Sequence, residues 1–384
     1  MLPATERILL GPGPGPVSPR IMRAMAAPVL SHLDPDLVVM LDDVRERLGR
    51  VFRAADGALS LAVSGTGTSG MEAAVANLAT DKTRALVVVT GYFGDRLAQM
   101  LTRYGAHVTR LDVEWGRACD PEAVRKALGS GRFDLVAMVQ AETSTGVLNP
   151  VEALARLAHE HDALTIVDAV TSLAAHPLEC GGWELDVCYS CSQKGLGAPS
   201  GMAPVTFSAR ALGQRAPSRS FYLDLRLLED YWVRRKYHHT LSSTLLYALR
   251  EALLVVEEEG LEARWARHRR HHRVLTAGLG AMGLELLPPE VERLWSLNAV
   301  CVPAGIDEAA VRRTLLRQFN IEIGAGLGPL AGRVWRVGLM GSGSSSQLIL
   351  VFLSALERAL GDQGYRMDPG AGTAAAADAL ASFQ

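Results

Sequence analysis

Lysine is rare in this 384-residue chain, occurring only at 82, 126, 194 and 236. A lysine amine can form an imine with a carbonyl and later carry a proton, so such chemistry has four candidates. Lys82 follows a helical pattern in a charged turn, Lys126 lies in a surface-helix pattern, and Lys236 belongs to the run RRK. Lys194 alone directly follows a buried-strand pattern, among the small residues of CSQKGLGAPSG. Asp168, 26 residues earlier, ends the apolar run ALTIVD, where open α/β sheets present ligand groups. A strand-end aspartate can equally cap the turn that follows. Between a strand pattern and a helix pattern lies Gly65-Thr66-Gly67-Thr68-Ser69-Gly70. Its N–H groups at a helix N-terminus would make an anion site, with hydroxyls from Thr66, Thr68 and Ser69.

A lysine, a carboxylate and a phosphate site are what pyridoxal 5'-phosphate (PLP) requires, the carboxylate keeping the pyridine nitrogen protonated so that the ring accepts electrons. The glycine loop also matches the G-x-G-x-x-G of dinucleotide-binding folds. That reading needs an acid about 20 positions on, at the end of the next strand. Here that strand ends Val88-Val89-Thr90-Gly91. The loop lacks a GK[ST] ending, and a plain glycine turn is the third reading.

The elements that must position these groups alternate. Strand patterns at 59–64, 84–90, 107–113, 134–140, 163–170, 185–191 and GMAPVTFS are separated by helical patterns, and an amphipathic helix spans 35–52. Near-continuous Val/Leu/Ile runs joined by helices indicate a mostly parallel sheet buried on both faces. From about Thr244 a long helical pattern runs to about Met282, basic in its middle (RWARHRRHHR). Short strands around LELLP, SLNAVCVP and VWRVGLM then accompany helices DEAAVRRTLLRQF and SSSQLILVFLSALERAL. The expected fold is α/β, with a large domain over 18–245, a smaller α+β domain over 246–366, an N-terminal segment 1–17 over the active site and a mobile Ala-rich tail, 367–384.

Composition narrows the function classes. Hydrophobic residues make up 48% and charged residues 21%, with a net charge of −2, so nothing favours nucleic acid or an anionic membrane as partner. No secretory or membrane-spanning run is present. Five scattered cysteines (119, 180, 188, 191, 301) suit a reducing compartment, and a cytoplasmic location is expected.

In order along residues 8–365, GPGP, SGTGTSGMEA, GYFGDR, AETSTGVLNP, VDAVTSL, YSCSQKGLGAPSG, YHHT and WRVGLMG resemble the serine/alanine–glyoxylate aminotransferases, class V aminotransferases of PLP fold type I. The resemblance implies that Lys194 is the Schiff-base lysine and that Asp168 pairs with the pyridine nitrogen while Val170 packs on the ring. It implies Gly67, Thr68, Ser69 and Gln193 at the phosphate, and Thr143 at the cofactor's phenolic oxygen and the substrate. Arg336 would bind the substrate carboxylate, with Gly13 beside the substrate. Tyr237 and Thr240 would serve the neighbouring subunit's cofactor in a homodimer with shared sites. Two departures stand out. Phe93 occupies the place of a stacking tryptophan, and can still stack; Thr68 replaces a histidine. The implied activity moves an amino group from alanine or serine to glyoxylate or pyruvate, in a ping-pong cycle through pyridoxamine phosphate.

Three other functions compete. A PLP lyase or desulfurase of the same fold would typically carry histidine where Gln193 stands; a NAD dehydrogenase lacks its ribose-binding acid; a sensor fused to a DNA-binding module lacks a winged-helix segment, since motifs start near residue 11. No metal site is expected. Cys188 and Cys191 lie along one strand pattern, where burial is the plainer role. His268, His271 and His272 share a helical face among arginines and read as a solvated basic face; His238 and His239 read as interface residues. Arg336 could pair with a surface acid, but a carboxylate substrate calls for the bidentate fork that arginine supplies.

Overall fold

The computed structural model describes residues 6–383. The first five residues of the expected N-terminal segment, and Gln384, lie outside the described residues. The large sheet contains seven strands: Leu59–Gly65 (β1), Arg84–Val89 (β2), His107–Asp112 (β3), Leu135–Val139 (β4), Leu164–Asp168 (β5), Val187–Tyr189 (β6) and Gly201–Phe207 (β7). Their spatial order is β1-β7-β6-β5-β4-β2-β3. β7 runs antiparallel to both neighbours, while the other pairs are parallel. Every residue of β4, β5 and β6 is buried, as a sheet covered by helices on both faces demands. The edge strand β3 is polar and largely exposed, which discourages pairing with another chain.

Three helices carry or frame the first half of the sheet: Pro35–Val51 (α1), Gly67–Leu78 (α2) and Tyr92–Arg103 (α3). Helix α1 buries Leu37, Leu41, Val44, Leu48 and Val51, the apolar stripe that the 35–52 pattern encodes. Helices α2 and α3 each begin just beyond the C-terminal end of a strand. Their N-termini therefore open on the same sheet edge as Asp168.

The long helical pattern after Thr244 resolves into two helices, Ser243–Glu259 (α4) and Leu261–Ala281 (α5). Gly260 separates them at φ +81°, a conformation that costs glycine little and other residues much. Three strands, Leu297–Cys301 (β8), Gly324–Ala325 (β9) and Val334–Gly338 (β10), form an antiparallel sheet with β10 central. The expected strand at LELLP is reduced to one bridge between Leu286 and Val300. A second apolar core, including Leu10, Val274, Leu275, Trp335 and Phe352, lies under this sheet.

Near the N-terminus, Ile8–Leu9 pairs in parallel with Ile321–Glu322. The chain then passes Lys194 at Pro12, and Gly15 N–H donates to the Gln193 carbonyl at 3.0 Å. Contrary to the expectation of a mobile tail, Ala371–Ala381 (α7) is helical and buries Gly372 and Ala376. It packs against α5 and the helix Ser346–Gly361 (α6). Alanine is the best helix former. Small residues also let the backbones approach: a Cβ on Gly278 would lie 2.7 Å from the Gly372 carbonyl oxygen.

Among the described residues, no helix is long and apolar enough to cross a membrane.

Candidate active site

Lys194 and Asp168 come together because β5 and β6 are adjacent and parallel, so the chain leaves both at one edge of the sheet. A cavity of about 170 Å³ opens there, lined by Thr66, Gly67, Thr68, Met71, Phe93, Arg96, Asp168, Val170, Gln193 and Lys194. Larger cavities lie elsewhere, including an arginine-lined groove of about 660 Å³ along α5, whose lining among the described residues contains no lysine.

Asp168 is only 2% exposed. Oδ1 accepts from Val170 N–H at 2.8 Å, and Oδ2 accepts from the Tyr189 hydroxyl at 2.9 Å. Burial pushes its carboxyl up to about 7, against the opposing pull of these two donors. Among the described residues it has no ion-pair partner. A buried carboxylate without a counter-ion is costly, so this position suits a cationic ring nitrogen. Tyr189 was not singled out by the sequence; it lies two residues before Cys191, on the strand that leads to Lys194.

Lys194 is also buried. Burial pulls its amine below the ordinary lysine range, and Arg336 acts in the same direction. Its Nζ donates to the Pro12 carbonyl. Gly13, at φ +104°, leaves room for the side chain: a Cβ there would sit 2.5 Å from Lys194 Cε.

The glycine loop leads directly into α2. Ser69 Oγ accepts from Thr66 N–H at 3.2 Å, closing the turn. Among the described residues, no backbone carbonyl accepts from the N–H groups of Gly67 or Thr68. They are the free donors that a helix N-terminus offers to an anion. Gly67 is required by packing, since a Cβ would lie 2.8 Å from Val170 Cγ2. Thr68 Oγ1 accepts from Arg96 at 3.0 Å, and the Arg96 guanidinium lies 5.0 Å from the Phe93 ring centroid. Sequence reasoning passed over Arg96, although it ends the GYFGDR motif. Gln193 Oε1 is buried without a hydrogen-bond partner.

Thr143 and Arg336 are not in that cavity's lining, although Arg336 is near enough to Lys194 to act on its amine. Thr143 Oγ1 lies 2.5 Å from Thr171 Oγ1. Arg336, on β10, donates from Nε to the Ala325 carbonyl at 2.7 Å and from Nη1 to the Thr143 carbonyl at 3.4 Å. No hydrogen bond from its Nη2 exists among the described residues. Burial pushes the guanidinium down to about 10, so it stays charged at neutral pH.

Tyr237 and Thr240 are exposed and do not line this cavity. Tyr237 meets His32, and Phe221 meets His238 nearby in the sequence. The basic stretch of α5 corrects an expectation: His268, His271, His272 and Arg264 are buried. Each histidine Nδ1 has a partner, respectively the Arg264 carbonyl, Ser344 Oγ and Asn298 Oδ1, at 2.7–3.0 Å. Arg264 donates to the Gly195 carbonyl at 2.7 Å, bracing the loop behind Lys194. The face is buried because α5 carries that loop on one flank and the small sheet on the other.

Comparison with known proteins bears on the fold and the family. The structure superposes on the ureidoglycine–glyoxylate aminotransferase of Bacillus subtilis with a TM-score of 0.97 at 38% identity, covering 99% of each chain. For the alanine–glyoxylate aminotransferase of Nostoc sp. the TM-score is 0.91 at 43% identity, over 94% of this chain and 96% of that one. In sequence, the alanine–glyoxylate aminotransferase of Drosophila melanogaster is 37% identical over 92% of both chains. Residues 22–332 match the family model for aminotransferase class-V. The chain belongs to the class-V aminotransferase family, with the α/β fold of its PLP-dependent members.

Proposed function

We propose that the protein transfers the amino group of a small amino acid, alanine or serine, to glyoxylate or pyruvate, using pyridoxal 5'-phosphate. The observation that carries this reading is the convergence of Lys194, Asp168 and the N-terminus of α2 on one cavity. The residues fit the cofactor. Among the described residues, Asp168 is a buried carboxylate lacking a counter-ion, Gly67 and Thr68 offer free N–H donors, and Gln193 has an unpartnered buried oxygen.

When bound, the cofactor supplies an aldehyde that condenses with amines and a pyridine ring that draws electrons from the reacting carbon. Lys194 would hold the cofactor through its amine, and its free amine would move the proton at the substrate Cα. Its lowered basicity favours the proton-accepting form. Asp168 holds the proton on the ring nitrogen. Gly67, Thr68, Ser69 and Gln193 bind the phosphate, and Arg96 adds positive charge beside Thr68. Phe93 and Val170 cover the two ring faces, and Thr143 orients the ring edge and the substrate.

Arg336 grips the substrate carboxylate with the edge of its guanidinium left free by Ala325 and Thr143, and Gly13, which makes room for Lys194, lies beside the substrate. Tyr237 and Thr240 complete the neighbouring site in a homodimer. Their exposure, and their absence from the lining of their own chain's cavity, support this role.

The test is a donor panel with glyoxylate and with pyruvate as acceptor. Alanine and serine are expected to outperform aspartate and glutamate, because Arg336 is assigned to the α-carboxylate and Arg96, the arginine lining the cavity among the described residues, is engaged by Thr68 on the phosphate side. A clear preference for a dicarboxylic donor would reject the substrate assignment.

A further inference from the structure

Helix α3, which carries Phe93, begins without a side-chain cap of its own: its N-cap is Gly91. Its first N–H groups are satisfied instead by a turn after β4. Tyr92 N–H donates to Ser144 Oγ at 2.9 Å, Phe93 N–H to Glu142 Oε1 at 3.4 Å, and Gly94 N–H to Glu142 Oε2 at 3.1 Å. Ser144 in turn donates to Glu142 Oε1 from its N–H at 3.1 Å and from its hydroxyl at 2.6 Å. Glu142 is fully buried, and no cation lies within ion-pair distance among the described residues. A buried carboxylate in that position is held by the helix N-terminus and by its donors. Gly91 makes the approach possible, since a Cβ there would lie 2.6 Å from Glu142 Cγ.

The residue between these two caps, Thr143, is the one whose carbonyl accepts from Arg336. One short turn therefore fixes both the ring expected to cover the cofactor and the arginine expected to bind the substrate. We propose that Glu142 is a positioning residue, setting Phe93 over the cofactor cavity through α3 and Arg336 through Thr143. It touches neither cofactor nor substrate. The inference rests on the reading that this cavity holds pyridoxal phosphate.

The conservative variant Glu142→Gln keeps the size but turns one acceptor into a donor facing the N–H groups of α3. In the folded holoenzyme, cofactor dissociation is expected to rise roughly tenfold, the scale of one lost buried acceptor. The circular dichroism of the visible cofactor band is expected to fall, and the donor KM to rise by more than kcat falls. The decisive measurement is a double-mutant cycle on cofactor affinity with Phe93→Leu. If Glu142 acts through Phe93, Glu142→Gln adds little in the Phe93→Leu background. Additive losses, or unchanged affinity and KM in Glu142→Gln, overturn the inference. Ser144→Ala, which removes the acceptor for Tyr92 N–H and leaves the carboxylate, carries the same cycle should Glu142→Gln not fold. A wild-type protein that binds no cofactor overturns the underlying reading as well. A cofactor-binding wild type with an additive cycle overturns only the role of Glu142.

Discussion

Replacing Asp168 with asparagine in the cofactor-free protein separates stability from function in a way the structure makes quantitative. Burial raises the folded-state carboxyl to about 7, whereas in the unfolded chain it titrates near 3.9. The folded state therefore holds a proton that the unfolded state has released. Stability from this group is complete below the unfolded value and is lost as pH rises towards about 7. At about 1.4 kcal/mol per pH unit, the full loss is about 4 kcal/mol, of which roughly 3 kcal/mol falls between about pH 5 and pH 8.5. Asparagine does not titrate, and its oxygen can still accept from Val170 N–H. Urea unfolding of both cofactor-free proteins across that range should show the variant gaining on wild type by roughly this amount, with a plateau above about pH 7. A stability difference independent of pH would refute the assignment of Asp168 as a buried carboxylate without a counter-ion. With pyridoxal phosphate bound that pH-dependent gain should shrink, because the proposed pairing with the ring nitrogen would give the carboxylate a cation, and the asparagine variant should release cofactor more readily.

Arg336→Lys keeps the charge but loses the planar fork. It is expected to raise the donor KM with a smaller change in kcat, and unaltered KM in steady-state assays would remove Arg336 from the substrate site. Mixing a Lys194→Ala parent with a Tyr237→Phe/Thr240→Ala parent should form heterodimers with one intact site, raising activity above either parent. No recovery despite demonstrated subunit exchange would mean that each site is built from a single chain. Arg96→Gln should weaken cofactor retention measured by dialysis and absorbance, since Arg96 is the cation beside Thr68; equal retention would assign it to packing on Phe93 alone.

The large sheet was legible because its strands are buried on both faces and announce themselves as unbroken apolar runs ended by Asp168, Gly65 and Thr90. The polar edge strand β3 was found by its alternation with helices. The break at Gly260 was missed because the apolar period continues across it and only the backbone conformation reveals the stop. The tail was misjudged because low complexity resembles disorder, while the close approach of Gly278 and Gly372 depends on tertiary packing. For the site, Lys194 and Asp168 stood out through composition and strand-end position. Glu142, Tyr189 and Arg96 did not, since their roles come from contacts between segments far apart in sequence. A glutamate three residues beyond the end of an apolar strand, as in VQAE, is the local signal that could have singled out Glu142.

The most direct test of amino transfer through Lys194 is a stoichiometric half-reaction on purified holoenzyme, followed by visible absorbance. Addition of alanine alone should bleach the cofactor band with release of one equivalent of pyruvate per site, and glyoxylate should restore it with formation of glycine. The Lys194→Ala protein, folded to the same extent by far-ultraviolet circular dichroism, should do neither at a comparable rate. A wild-type protein whose band is indifferent to alanine and serine, or a Lys194→Ala protein that cycles as wild type does, would contradict the account.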